Sequence, residues 1–205
     1  MRLRLVAAAL ASLVALPAAA QTLDIPSGTY AADRTHTSIV WKVSHLGFSV
    51  YTGMIDRAGI DATVELDAQN VAQSTLSVEL GSAPALTGHP IEFDPRSIDF
   101  NDEIASPMFL NAEAEPISFK STGIEVTGDT TAKISGELTM NGQSHELVLD
   151  TTLNTAKNHP MAGVPAFGIT ATGVIDRTTF GIDALAGPIG TEVAIEIQAE
   201  FFPAE

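Results

Sequence analysis

Hydrophobic and polar positions alternate with a period of two along most of this chain. Near its end Val193, Ile195, Ile197, Ala199 and Phe201 interleave with Glu192, Glu196, Gln198 and Glu200. Earlier, Ile60, Ala62, Val64 and Leu66 alternate with Asp61, Thr63 and Glu65, and Leu76, Val78 and Leu80 with Ser77 and Glu79. Successive side chains of a strand point to opposite faces, so each run reads as a strand with one wet and one dry face. The pattern predicts strands near 28–34, 37–44, 50–57, 60–66, 74–80, 117–127, 131–140, 145–154, 166–176 and 192–201. Asn141-Gly142 after Met140, and Gly128-Asp129 between Val126 and Ile134, are hairpin signals, so neighbouring strands pair antiparallel. If such strands close into a barrel, every dry face turns toward one lumen, which then holds only something apolar. Ten runs are more than an eight-stranded barrel needs, so some are expected to join into single bent strands.

The alternation stops between Ser82 and Pro116, a stretch broken by Pro84, Pro90, Pro95, Pro107 and Pro116. It reads as a covering loop with a short helix around Asp102 to Met108. A run this long without its own structure is generally a functional lid or disordered. Ile91, Phe93, Ile98, Phe100, Ile104, Met108, Phe109 and Leu110 favour the lid, since each such side chain gains roughly 1.5–3 kcal/mol when buried. They either plug one barrel end as core or touch a bound ligand.

Residues 1–20 combine Arg2 and Arg4, an apolar run from Leu5 to Leu16 and small residues at Ala18-Ala19-Ala20, the pattern of a cleaved secretory signal. The apolar run is well short of the roughly 20 residues needed to span a bilayer. Residues 21–205 are then one exported domain, and a periplasmic location is expected. Removing the two signal arginines from the 10 Lys and Arg leaves eight against 25 acids, a formal charge of −17. That balance argues against nucleic acid and anionic lipid surfaces as partners. The chain has no cysteine, so thiolate chemistry, Cys-type zinc and iron–sulfur clusters are excluded and stability rests on burial.

Catalytic patterns are weak. Asp33, His36 and Ser38 supply the residue types of a triad, but three residues of regular strand would put Asp33 and His36 on opposite faces, and no GxSxG elbow is present. His36 reads as a strand-start residue bonded to nearby backbone. The five histidines are scattered with no HExxH, and no metal site is expected. Asp99, Asn101 and Glu103 lack the glycine turn and terminal Glu of a calcium loop. Two polar residues stand out inside apolar surroundings, His45 and Arg177. Each reads either as a holder of a ligand's polar end at a barrel mouth or as a structural hydrogen-bonder, Arg177 then pairing with Asp33 or Asp176.

Several segments, in order, resemble the YceI family, known as polyisoprenoid-binding, lipocalin-like periplasmic proteins. They are Tyr30-Ala31-Ala32-Asp33 with His36, Thr37 and Ser38; Val43-Ser44-His45-Leu46-Gly47-Phe48 and Gly53; Pro116 to Thr122; Gly136 to Gly142; and Arg177 to Ile182 followed by Gly190, Glu192 and Val193. The resemblance implies an all-β, extended eight-stranded antiparallel barrel with a loop and short-helix lid, holding a long-chain amphiphile such as a polyprenyl or quinone tail. It attaches no catalytic activity and no required cofactor. Where relatives usually carry Arg-Asp-x-His-Leu in the lid, this chain has Asn101-Asp102-Glu103-Ile104-Ala105, which favours an uncharged head over a diphosphate.

The expected lumen lining is Ile39, Trp41, Val43, Phe48, Phe100, Met108, Phe109, Phe119, Met140, Phe167 and Phe180, with His45 and Arg177 at the polar end. The primary reading is a periplasmic carrier of an isoprenoid lipid or quinone. Its rivals are an enzyme on a lipophilic or quinone-like substrate with His45 or His36 as acid or base, and a structural partner of a membrane redox protein, whose mark would be a barrel without a cavity. The regular last strand suggests edge pairing in a homodimer.

Overall fold

The computed structural model describes residues 21–81, 85–112 and 114–204, so the expected signal lies outside the described residues. The strands are β1 (Gly28–Ala32), β2 (Ser38–His45), β3 (Ser49–Ile55), β4 (Ile60–Leu66), β5 (Thr75–Leu80), β6 (Ala85–Leu86), β7 (Ile117–Val126), β8 (Thr131–Met140), β9 (Gln143–Asn158), β10 (Pro165–Asp176) and β11 (Ile189–Pro203). All pair antiparallel, and the sheet closes where β1 meets β11. The ring is an eight-stranded antiparallel barrel, because six of the eleven segments are halves of three broken strands.

The register shows this. Gly28 pairs with Leu66 and Val40 with Met54, twelve residues on along one strand and twelve back along the other, so β1–β2 and β3–β4 form one hairpin. Likewise Ile60 pairs with Leu80 and Met54 with Leu86, six residues each way, so β5 and β6 are one strand. Along β11 the pairing moves from Ala32–Phe201 to Ser38–Gln198, six residues against three, so the first strand carries a three-residue bulge. The breaks in all three strands fall at one level. Gly59 and Gly81 keep their strands joined across it: the Gly81 N–H donates to the Gly59 carbonyl at 2.7 Å, and a Cβ on Gly81 would lie 3.1 Å from the Gly59 Cα.

The sequence-predicted strands match these elements closely, with joined segments accounting for the surplus. Asn141 and Gly142, with φ of 49° and 69°, turn the β8–β9 hairpin as expected. The 82–116 stretch contains the short strand β6 and a helix, α1 (Phe100–Ala105), that begins and ends earlier than predicted. Asp99 caps its start by accepting from the Asn101 N–H at 2.9 Å. Pro107 ends it, since a residue before proline is driven to extended backbone and Ser106 has ψ 167°. β11 is flanked by β10 on one edge and by β1 and β2 on the other, so it offers no long free edge for pairing between copies.

Candidate functional site: an apolar lumen

The inward faces of the barrel enclose a cavity of about 240 Å3. Of the expected lining residues, Ile39, Trp41 and Val43 line it from β2, Phe119 from β7, Met140 from β8 and Phe109 from the lid. Ile104 and Leu110 join Phe109, so part of the lid does face the lumen. The polar lining residues are Thr37, Ser118 and Arg177.

Two glycines make room for the aromatic lining. Gly53 pairs with Trp41 across β2–β3, and a Cβ there would fall 2.2 Å from the indole ring. Gly136 on β8 lies against Phe119, where a Cβ would fall 2.3 Å from the ring and 2.6 Å from the Lys120 carbonyl oxygen. Both glycines stand among the residues that resemble the family, but no packing role was read for either from the sequence. The available signal was a small residue placed across a hairpin from a large aromatic.

Five expected lining residues lie elsewhere. Phe48 follows Leu46 and Gly47, both with positive φ; the tight turn throws its ring out, and it is 92% exposed. Met108 sits on the outer side of the lid, 55% exposed. Phe100 packs under the lid, its ring 5.6 Å from Tyr51 and 4.8 Å from His89. Phe167 is buried but belongs to an aromatic floor, stacked on Phe201 at 4.8 Å and edge-on to Tyr30 at 5.3 Å. Phe180 is buried beside the β8–β9 turn, where Asn141 Nδ2 donates to its carbonyl at 3.0 Å and the His145 ring meets it at 4.9 Å.

The polar candidates are also redistributed. His45 is exposed at the end of β2 and is not among the lining residues. Arg177 is buried and reaches the lumen, but it pairs with backbone instead of Asp33 or Asp176. Its Nε donates to the Gly190 carbonyl (2.9 Å), Nη1 to those of Ile182 (2.5 Å) and Ala184 (2.9 Å), and Nη2 to that of Ile189 (3.1 Å). The guanidinium thus ties the end of β10 to the loop leading into β11. Burial pushes its pKa down, opposed by the carboxylates of Asp183 and Asp176.

Asp33 and His36 do meet, with Oδ2 and Nδ1 at 2.6 Å, because the bulge in the first strand removes the regular alternation that would have separated them. The His36 N–H does bond nearby backbone, donating to the Asp33 carbonyl at 3.1 Å, while its imidazole is partnered by the Asp33 carboxylate and the Thr35 hydroxyl. Hydrogen bonding to Asp33 raises the His36 pKa, and the same bond lowers that of Asp33. Glu200 lies close enough to complete a three-ligand cluster, but the imidazole is on the outer wall and takes no part in the lumen.

The lid is pinned by charge. Asp94 accepts from the Arg96 N–H (2.8 Å), Nε (3.2 Å) and Nη2 (3.0 Å) and lies 3.2 Å from His89 Nε2. The Arg96 bonds hold its carboxyl well below the usual range, at about 2. Glu103, with Asp102 in the first turn of α1, accepts from Arg96 Nη1 at 3.1 Å, a structural role for the acidic stretch that departs from the family pattern.

A closed antiparallel barrel with an apolar, lidded lumen is the class of protein that this geometry defines. The chain matches the YceI-like domain over residues 30–201, and it belongs to that family. A UPF0312 protein of Pseudomonas putida is 31% identical over 193 residues, covering 93% of this chain and 92% of the relative. Among solved structures, Burkholderia cenocepacia BcnA superposes with a TM-score of 0.68 at 17% identity, covering 82% of this chain and 98% of that one. A polyisoprenoid binding domain from Saccharophagus degradans, implicated in plant cell wall breakdown, superposes at 0.52 with 12% identity, covering 85% and 98%.

Proposed function

We propose that this protein is a periplasmic carrier that shields the chain of an isoprenoid-like amphiphile, a polyprenyl lipid or an isoprenoid quinone, inside its barrel. The carrying observation is the lumen itself, which is enclosed by aliphatic and aromatic side chains, with Thr37 and Ser118 as its only hydroxyls among the described residues and an Arg177 already engaged by four carbonyls. Such a cavity favours apolar contact area, at roughly 25 cal/mol per Å2 removed from water. Its volume of about 240 Å3 is just under the ~300 Å3 lower end of ordinary small-molecule pockets, which suits a thin chain better than a broad ring system. The polyisoprenoid-binding name of the Saccharophagus neighbour supports the same reading.

An uncharged head fits best. A diphosphate brought inside would need unengaged cations, and among the described residues the lining offers no Lys and no second Arg. The lumen is not the solid barrel expected of a purely structural partner, and His36 and His45, the acid or base candidates of the enzyme reading, stand outside it.

Native mass spectrometry with lipid extraction, on protein exported to the periplasm and purified without detergent, tests the proposal. The expected result is a stoichiometric adduct of isoprenoid mass. A bare protein that also takes up no added polyprenol or quinone would refute it.

A further inference from the structure

Thr37 is one of the three most deeply buried large side chains of the chain, with Phe201 and Ile60, and is 1% exposed. It shares the inward face of its strand with Ile39, Trp41 and Val43, and it lines the lumen. Its hydroxyl has no hydrogen-bond partner among the described residues. A buried, unpaired hydroxyl is costly, and hydroxyls in protein interiors are nearly always satisfied. Tyr51 and Glu103 also carry unpaired buried oxygens, but neither residue lines the cavity.

The position of Thr37 gives that hydroxyl a direction. It stands between the bulge of the first strand and the start of β2, at the level where the first three strands are broken. Beyond this level lies the aromatic floor of Tyr30, Phe167 and Phe201. Toward the other end the lumen runs past Trp41 and Val43 to Arg177, whose guanidinium is engaged by four carbonyls. Among the described residues, the fully buried lining oxygen left without a partner is therefore that of Thr37, at the deep end of the lumen.

We infer that Thr37 is the polar anchor of the lumen, donating its O–H to a single uncharged oxygen, of an alcohol or a carbonyl, on a ligand that enters head first. The hydrocarbon chain then runs from Thr37 toward the Arg177 end, under the lid. This rests on the carrier reading and adds which chemistry the lumen recognises and where.

The test titrates wild-type, Thr37→Val and Thr37→Ser proteins with two probes, a twenty-carbon all-trans polyprenol and the hydrocarbon of the same skeleton lacking the hydroxyl, scored by native mass spectrometry. Valine matches threonine in shape, so Thr37→Val should lose roughly five- to tenfold in affinity for the alcohol, the worth of one hydrogen bond, and leave the hydrocarbon unchanged. Thr37→Ser should retain the preference for the alcohol. Because valine removes an unpaired hydroxyl, ligand-free Thr37→Val should also melt at a higher temperature than wild type. An unchanged alcohol affinity, equal losses for both probes, or a lowered melting temperature would overturn the anchor while leaving the carrier reading intact. Wild-type protein that binds neither probe would overturn both.

Discussion

The barrel has two unlike halves. From β7 to β11 the strands are 10 to 16 residues long and run without a break of the chain. From β1 to β6 each strand is broken at the same level, and beyond β5 and β7 the lid fills the wall. Both halves offer apolar side chains to one lumen, but they hold shape differently. Both halves are joined by antiparallel ladders; the unbroken half adds the Arg177 guanidinium, whereas the broken half adds side-chain pairs at its breaks and lid: Arg34 to Asp61 at 3.1 Å, Asp33 to His36, and Arg96 to Asp94. The breaks and the lid thus lie on one side of the barrel and the long continuous strands on the other.

The largest expected effect tests the unbroken half. Arg177→Met strands four carbonyls, and at ~1 kcal/mol or more for each unpaired buried group the loss should be roughly 4 kcal/mol in urea unfolding. Next, the two glycines can be set against each other. Gly136→Ala meets both Phe119 and the fixed Lys120 carbonyl and should cost ~2–3 kcal/mol. Gly53→Ala, on the broken half, meets the Trp41 side chain first and should cost ~1 kcal/mol while shifting Trp41 emission. Equal costs would remove the distinction between the halves.

Smaller effects depend on pH. Asp94 is depressed from 3.8 to about 2, so its contribution to the lid is complete above the ordinary value and fades as pH falls toward 2. In Arg96→Ala the lid should lose hydrogen-exchange protection nearer pH 4, one to two units earlier. The sign reverses at the bulge: the raised pKa of His36 means that its bond to Asp33 contributes fully below pH 6.5 and is lost as pH rises through the raised value. His36→Gln should flatten that part of the stability profile. Smallest of all, Phe48→Ser should change stability by less than ~0.5 kcal/mol, since its ring is almost wholly in solvent.

The strands were legible because alternation survives wherever one face is dry, and that pattern alone placed nearly all of the barrel. The breaks were less legible, since a bulge inserts residues without altering composition: Asp33 and His36 read as opposite-facing and are bonded. Among candidate lumen residues, those within regular strands, such as Trp41, Phe119 and Met140, were found by parity. Phe48 was misplaced because a turn resets parity, and Met108 and Phe100 because lid residues have none. Phe167 has inward parity but lies below the cavity, a matter of depth that periodicity does not report. Thr37 appeared only as part of the family resemblance, with no site role, because a lone hydroxyl on an apolar face is meaningful only once its missing partner is known.

The chain's single tryptophan lines the lumen, which makes the central claim directly measurable. Titrating the protein with a long-chain alcohol brominated along its tail should quench Trp41 fluorescence saturably, at one ligand per protein. Emission that stays constant, or falls linearly without saturation, would contradict a lipid chain bound inside the barrel.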